Sequence, residues 1–104
     1  MKIIKTVHGN ELEIALVGEL DSGTAPDLER ELEHGMEGIQ SLTLNLKKLK
    51  YMSSAGLRLM LIAHNTFKDK GGLKITHANE DIQNLFDEIG YSEFLKTEQE
   101  DDVV

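Results

Sequence analysis

Two adjacent hydroxyls open the chemically suggestive stretch of this chain: Ser53 and Ser54, within Lys50-Tyr51-Met52-Ser53-Ser54-Ala55-Gly56-Leu57-Arg58-Leu59-Met60-Leu61. A serine in this setting is a nucleophile, a phosphate acceptor or a helix cap. The nucleophile needs a neighbouring base and, in esterases, the sharp Gly-x-Ser-x-Gly elbow, whereas this chain reads Tyr51-Met52-Ser53-Ser54-Ala55. From Ala55 onward the chain is a long helical run with apolar residues on most faces, so the serines stand at a helix start. Ser53 suits the N-cap, its side-chain oxygen accepting from a backbone N–H one turn on, and Ser54 then lies in the first turn, near the positive end of the helix dipole. A phosphate on Ser54 adds about −1.5 to −2 of charge there and leaves the helix intact. Modification at this point changes the surface and preserves the fold.

The other polar candidates are sparser. His8, His34, His64 and His77 are scattered without ligand spacing, and there is no cysteine, so no metal site, disulfide or thiol chemistry is expected. Gly71-Gly72 ends a helical pattern and does not open one, which rules out a phosphate cradle, and no Walker or dinucleotide fingerprint is present; no cofactor is expected. Asp21 stands in a loop after an apolar run, either as a simple loop acid or as part of a site.

The elements that must position these residues are read from periodicity. Residues Met1 to Val7 and Glu11 to Val17 are β-like runs joined by His8-Gly9-Asn10, which predicts a hairpin. The second strand runs out at Gly18-Glu19-Leu20-Asp21. Thr24 reads as an N-cap with Pro26 in the first turn, and Ala25, Leu28, Leu32 and Met36 make one apolar face of a helix that stops near Gly35 or Gly38. Ser41-Leu42-Thr43-Leu44-Asn45-Leu46 alternates strictly and predicts a strand parallel to the one before the helix, with residues 47–50 leading out of it. A second helix is expected from about Ser54 to Lys70, a short strand over 73–77, a third helix capped by Asn79 and ending at Gly90, and a last strand over 91–97. The order β-β-α-β-α-β-α-β describes an α/β domain, a small mixed sheet of about five strands covered by helices. In such sheets functional groups gather at the carboxyl ends of the strands, a rim that collects Asp21, residues 47–52, Ser53, Ser54 and residues 77–79.

Composition narrows the partners. Nineteen acids against eleven bases give a formal charge of −8, and Glu98, Glu100, Asp101 and Asp102 place four of the acids among the last seven residues. That balance, with only five aromatics, argues against a nucleic-acid surface. No apolar run approaches the roughly 20 residues of a membrane span, nor is there a signal-peptide core, so the expected location is the cytoplasm. One domain over residues 1–97 with an acidic tail, 98–104, is expected.

Taken together, Gly18-Glu19-Leu20-Asp21 with Thr24-Ala25, then Leu44-Asn45-Leu46, then Tyr51-Met52-Ser53-Ser54-Ala55-Gly56-Leu57, then the helix from Asn79 to Gly90 and Tyr91, resemble the STAS domain of bacterial anti-sigma factor antagonists. The resemblance spans roughly residues 1–97. Matched along the family's Asp-Ser-Ser/Thr-Gly-Leu motif, Ser54 takes the phosphorylated position; the preceding acid is Ser53 here, a second possible acceptor, and the following hydroxyl is Ala55. Asp21 matches the family's acid in the loop after the second strand. The resemblance implies a non-enzymatic binding module that, unphosphorylated, docks on an anti-sigma factor with serine kinase activity and frees a sigma factor. A PP2C-type phosphatase resets it. The implied partner surface comprises Asp21, Thr24, Met52, Ser53, Ser54, Ala55, Gly56 and Arg58. Other outputs compatible with the same motifs are a STAS adaptor in a transport or lipid-trafficking assembly and a partner switch acting on a signalling enzyme; a hydrolase using Ser54 lacks a base.

Overall fold

The computed structural model describes residues 1–90. Its chain order is β1 (Lys2–His8), β2 (Glu11–Leu20), α1 (Ala25–His34), β3 (Ser41–Met52), α2 (Ser54–Phe67), β4 (Gly72–Thr76) and α3 (Glu80–Glu88). The expected last strand, Tyr91 to Thr97, and the acidic tail lie outside the described residues. Within them the architecture is the mixed α/β domain that the pattern implies, with four strands in the order β1-β2-β3-β4.

β1 and β2 form the antiparallel hairpin, from Lys2 opposite Val17 to His8 opposite Glu11. Gly9 closes it at φ 65°, a left-handed conformation that costs glycine nothing. β2 with β3, and β3 with β4, pair in parallel. Each parallel step needs a crossover, and α1 and α2 supply the two. Alternation sends Leu12, Ile14 and Leu16 of β2 and Leu42, Leu44 and Leu46 of β3 to one face, where all are buried, while Glu13, Ala15, Thr43 and Asn45 on the other face stay half-exposed. On the buried face pack Ala25 and Leu28 of α1, Leu59, Met60, Ala63 and Phe67 of α2, and Ile82 and Phe86 of α3. Phe86 is fully enclosed, so Phe86→Ala leaves a cavity under α3; we expect about 3–5 kcal/mol of lost stability, read as a lowered midpoint in denaturant.

Two elements differ from their sequence patterns. β3 runs to Met52, six residues past the alternating segment, because the β2–β3 ladder is interrupted between Ala15 and Val17 and again between Gly18 and Glu19. The irregularities put Lys47 and Lys48 side by side in solvent, breaking the period of two, and then restore inward-facing Leu49 and Met52. β4 has the expected five residues but lies one position earlier, pairing from Gly72 to Thr76, and the far end of the longer β3 projects beyond it. Asn79 covers that projection. Its side-chain oxygen caps α3 by accepting from the Ile82 N–H at 2.9 Å, and its amide makes long contacts at 3.4 and 3.3 Å with the carbonyls of Leu49 and Lys50. Replacement of Asn79 by alanine removes the cap and the tie together. We expect about 1–2 kcal/mol of destabilisation, visible as a thermal midpoint several degrees lower.

Candidate functional site

The rim where β2 and β3 end is held by backbone geometry. Leu20 pairs with Met52 in the last rung of the parallel ladder, and the Ser53 N–H donates to the Leu20 carbonyl at 2.9 Å. The residue after each strand therefore emerges beside its neighbour: Asp21 on one side, Ser53 and the start of α2 on the other.

Asp21 is engaged locally. Its Oδ1 accepts from the N–H groups of Gly23 (2.9 Å) and Thr24 (3.1 Å), and its carbonyl accepts from the Ala25 N–H at 2.7 Å. Thr24, a hydroxyl cap by sequence pattern, occupies the N-cap position of α1 without the capping bond. Its hydroxyl instead donates to the Glu19 carbonyl at 2.9 Å and accepts from the Asp21 N–H at 3.0 Å. The competing local bonds tie the loop back onto β2, and the Asp21 carboxylate turns the chain into the helix. Asp21→Ala should cost about 1 kcal/mol by thermal melting, whereas Asp21→Asn keeps an oxygen acceptor and most of that stability. A partner whose binding is weakened by the Asn variant is therefore sensing the charge.

At α2 the expectation for Ser53 also changes. It is the N-cap residue, extended at φ −93° and ψ 179°, and its carbonyl accepts from the Leu57 N–H at 3.0 Å, but its hydroxyl makes no cap bond. The Ser53 Oγ is buried and has no hydrogen-bond partner. With its backbone pinned to the end of β2, the side chain faces inward and away from the helix's first N–H groups. Ser54, by contrast, is exposed in the first turn, which carries no acid.

Of the residues expected in a partner surface, Ser54 and Arg58 are exposed and Asp21, Thr24, Ser53 and Ala55 half-buried. Met52 and Gly56 are buried instead. They pack against each other and Leu20 on the inner side of the rim: a Cβ built on Gly56 would lie 2.7 Å from Leu20 Cγ and 2.9 Å from Met52 Cγ. Both act on the site by holding α2 against the strand ends.

Beside Ser54 lies a hollow of about 360 Å³ lined by Lys50, Tyr51, Met52, Ser53 and Ser54 from the β3–α2 junction and by Asp81, Ile82 and Leu85 from α3. Asp81 and Leu85 are not legible as site residues in the sequence, since their place depends on the angle at which α3 returns to the sheet. The nearest sequence signal is Asn79, whose cap fixes where α3 begins.

Among the described residues the domain is a four-stranded mixed sheet with helices on its buried face and a serine-bearing helix start at its parallel rim. The family model for the STAS domain matches residues 2–102, and the chain belongs to that family. It is 33% identical over 95 residues to an anti-sigma-B factor antagonist of Staphylococcus epidermidis, covering 88% of each chain. Over 87 residues it is 31% identical to the anti-sigma-B factor antagonist of Bacillus subtilis (strain 168), covering 83% of this chain and 80% of that one. Its fold matches the structure of the Bacillus cell fate determinant SpoIIAA in the phosphorylated form with a TM-score of 0.76, at 17% identity, covering 97% of this chain and 95% of the other.

Proposed function

We propose that this protein is an anti-sigma factor antagonist whose Ser54 is a phosphorylation switch. In its unmodified form the rim of Asp21, Thr24, Ser53, Ser54, Ala55 and Arg58 binds an anti-sigma factor with serine kinase activity, which then releases a sigma factor. That kinase transfers phosphate to Ser54 Oγ, and a PP2C-type phosphatase removes it. The protein performs no catalysis, works in the cytoplasm, and uses residues 1–97 as the binding domain, with 98–104 as an acidic tail.

The observation that carries this reading is the contrast between the two serines. Ser54 is exposed on a first turn free of acids, and Ser53 Oγ is buried. A kinase active site reaches the first and not the second. Kinship with anti-sigma-B factor antagonists supports the identity of the partner. The physics of rejection is simple. A phosphate brought into a protein interface without a counter-charge is desolvated at a cost of several kcal/mol, enough to change affinity by orders of magnitude.

The direct test is intact mass with fragmentation on protein isolated from its own cells, alongside Ser54→Ala and Ser53→Ala. Phosphate on Ser54, lost in the first variant and kept in the second, is the expected result. Phosphate wholly on Ser53, or none under any growth condition, would overturn the assignment.

A further inference from the structure

The hollow beside Ser54 carries a cation that the switch reading does not use. Lys50 lines it, four residues before Ser54 and across the β3–α2 junction, and is exposed. A second cation, Arg58, is exposed one helical turn beyond Ser54, at the i,i+4 spacing that brings side chains to within about 5–6 Å at their Cβ atoms. Among the described residues neither side chain has an ion-pair partner: the three pairs join Lys5 to Glu31, Arg30 to Asp27, and His34 to Glu33. In a chain of net charge −8, Lys50 and Arg58 are the cations nearest Ser54 in sequence, one on each side of it. Ser53 lines the same hollow, but its hydroxyl is buried and faces inward, so the two cations are what remains to meet a phosphate on Ser54.

We propose that Lys50 and Arg58 bracket the phosphate of phosphorylated Ser54, one from the strand end and one from the next turn of α2. The phosphate oxygens take charge-assisted bonds from both, in addition to the favourable field of the helix start. Opposing them are Asp81, on the far wall of the hollow, with Glu80 beside it in the first turn of α3 and Asp21 at the end of β2. Tyr51 is the remaining titratable lining residue. These acids keep the bracket from being a tight site, as suits a modification that must be removed.

The functional consequence is that phosphorylation acts twice on the rim. It adds a dianion and it also withdraws Lys50 and Arg58, two cations that the unmodified rim offers to an acidic partner surface. The bracket thus accounts for how a single modification converts an attractive rim into a repulsive one.

This inference rests on the switch reading, but its test needs no kinase. Phosphoserine is installed at position 54 during translation, and its phosphorus resonance is titrated in the full chain, in Lys50→Gln, Arg58→Gln and the double variant. Both substituted side chains are on the surface, and thermal melting checks that the fold is unchanged. The expected result is a second phosphate pKa below the value of about 6 for an unconstrained phosphoserine, raised by about 0.5 or more in the double variant. Asp81→Asn should lower it further. A double variant that titrates with the parent protein would overturn the bracket, leaving the helix start alone as the phosphate's environment. Failure of the switch reading looks different: the protein from its own cells would carry no phosphate on Ser54, whatever the titration shows.

Discussion

Phosphoserine at position 54 should weaken binding to the anti-sigma factor by about a thousandfold or more, while Ser54→Ala binds as the unmodified protein does and no longer responds to the kinase. The size follows from where the charge lands. Ser54 is exposed, next to the turn that holds Asp21, so a partner covering the rim must cover the phosphate. The selectivity follows from what the charge spares. A dianion in the first turn of a 14-residue helix favours the helix dipole, so the melting temperature of the phosphorylated protein should equal or exceed that of the unmodified one. Titration calorimetry on both forms against the purified anti-sigma factor measures the first effect, and calorimetric melting the second. Equal affinity for the two forms would sink the switch. A large drop in melting temperature would mean that the modification acts by unfolding α2 and not through the surface.

Most of the frame is legible because each element satisfies its own periodicity. Leu42, Leu44 and Leu46 alternate, Ile82, Leu85, Phe86 and Ile89 recur at helical spacing, and Asn79 caps as its type suggests. Legibility fails where one element's conformation is set by another. By pattern β3 ends at Leu46, since consecutive Lys47 and Lys48 violate alternation; only the irregular pairing with β2 lets the strand continue to Met52. The sequence likewise offers Ser53 and Thr24 as side-chain caps. In both cases the backbone stands at the N-cap, but bonds to β2, through Leu20 for one and Glu19 for the other, turn the hydroxyl elsewhere. Asp21 is visible as a rim acid from topology alone. Its work in turning the chain into α1 is not, because an aspartate two residues before a glycine-threonine pair has several local acceptor geometries open to it. The buried members of the motif, Met52 and Gly56, show the same limit: a motif gives which residues belong together and leaves open which of them face outward.

Gly56 is where that packing makes its largest demand, and Gly56→Val should cost about 3 kcal/mol and lower the thermal midpoint by about 10 °C or more. A glycine in a helix interior normally gives up about 1 kcal/mol relative to alanine, so its presence in the first turns of α2 requires a reason. The reason is contact. A Cβ at this position would sit 2.7 and 2.8 Å from Cγ and Cδ2 of Leu20 and 2.9 Å from Cγ of Met52, and Leu20 and Met52 are both buried side chains with no open space to enter. They are also the paired last residues of β2 and β3, directly before Asp21 and Ser53. Any group added to Gly56 therefore pushes α2 off the strand ends that set the spacing of the rim. Gly56→Ala is the finer probe, because its helix-propensity gain offsets part of the clash while displacement of the rim remains; partner affinity should fall by more than stability does. The cause is identified by adding Leu20→Ala, which removes the atoms in the way. If the contact with Leu20 is responsible, the double variant Leu20→Ala/Gly56→Ala is more stable than the sum of the single effects allows, by about 1 kcal/mol in a double-mutant cycle. Strict additivity would clear Leu20 and leave Met52 Cγ, the other buried strand-end contact at this position, as the source of the demand for glycine.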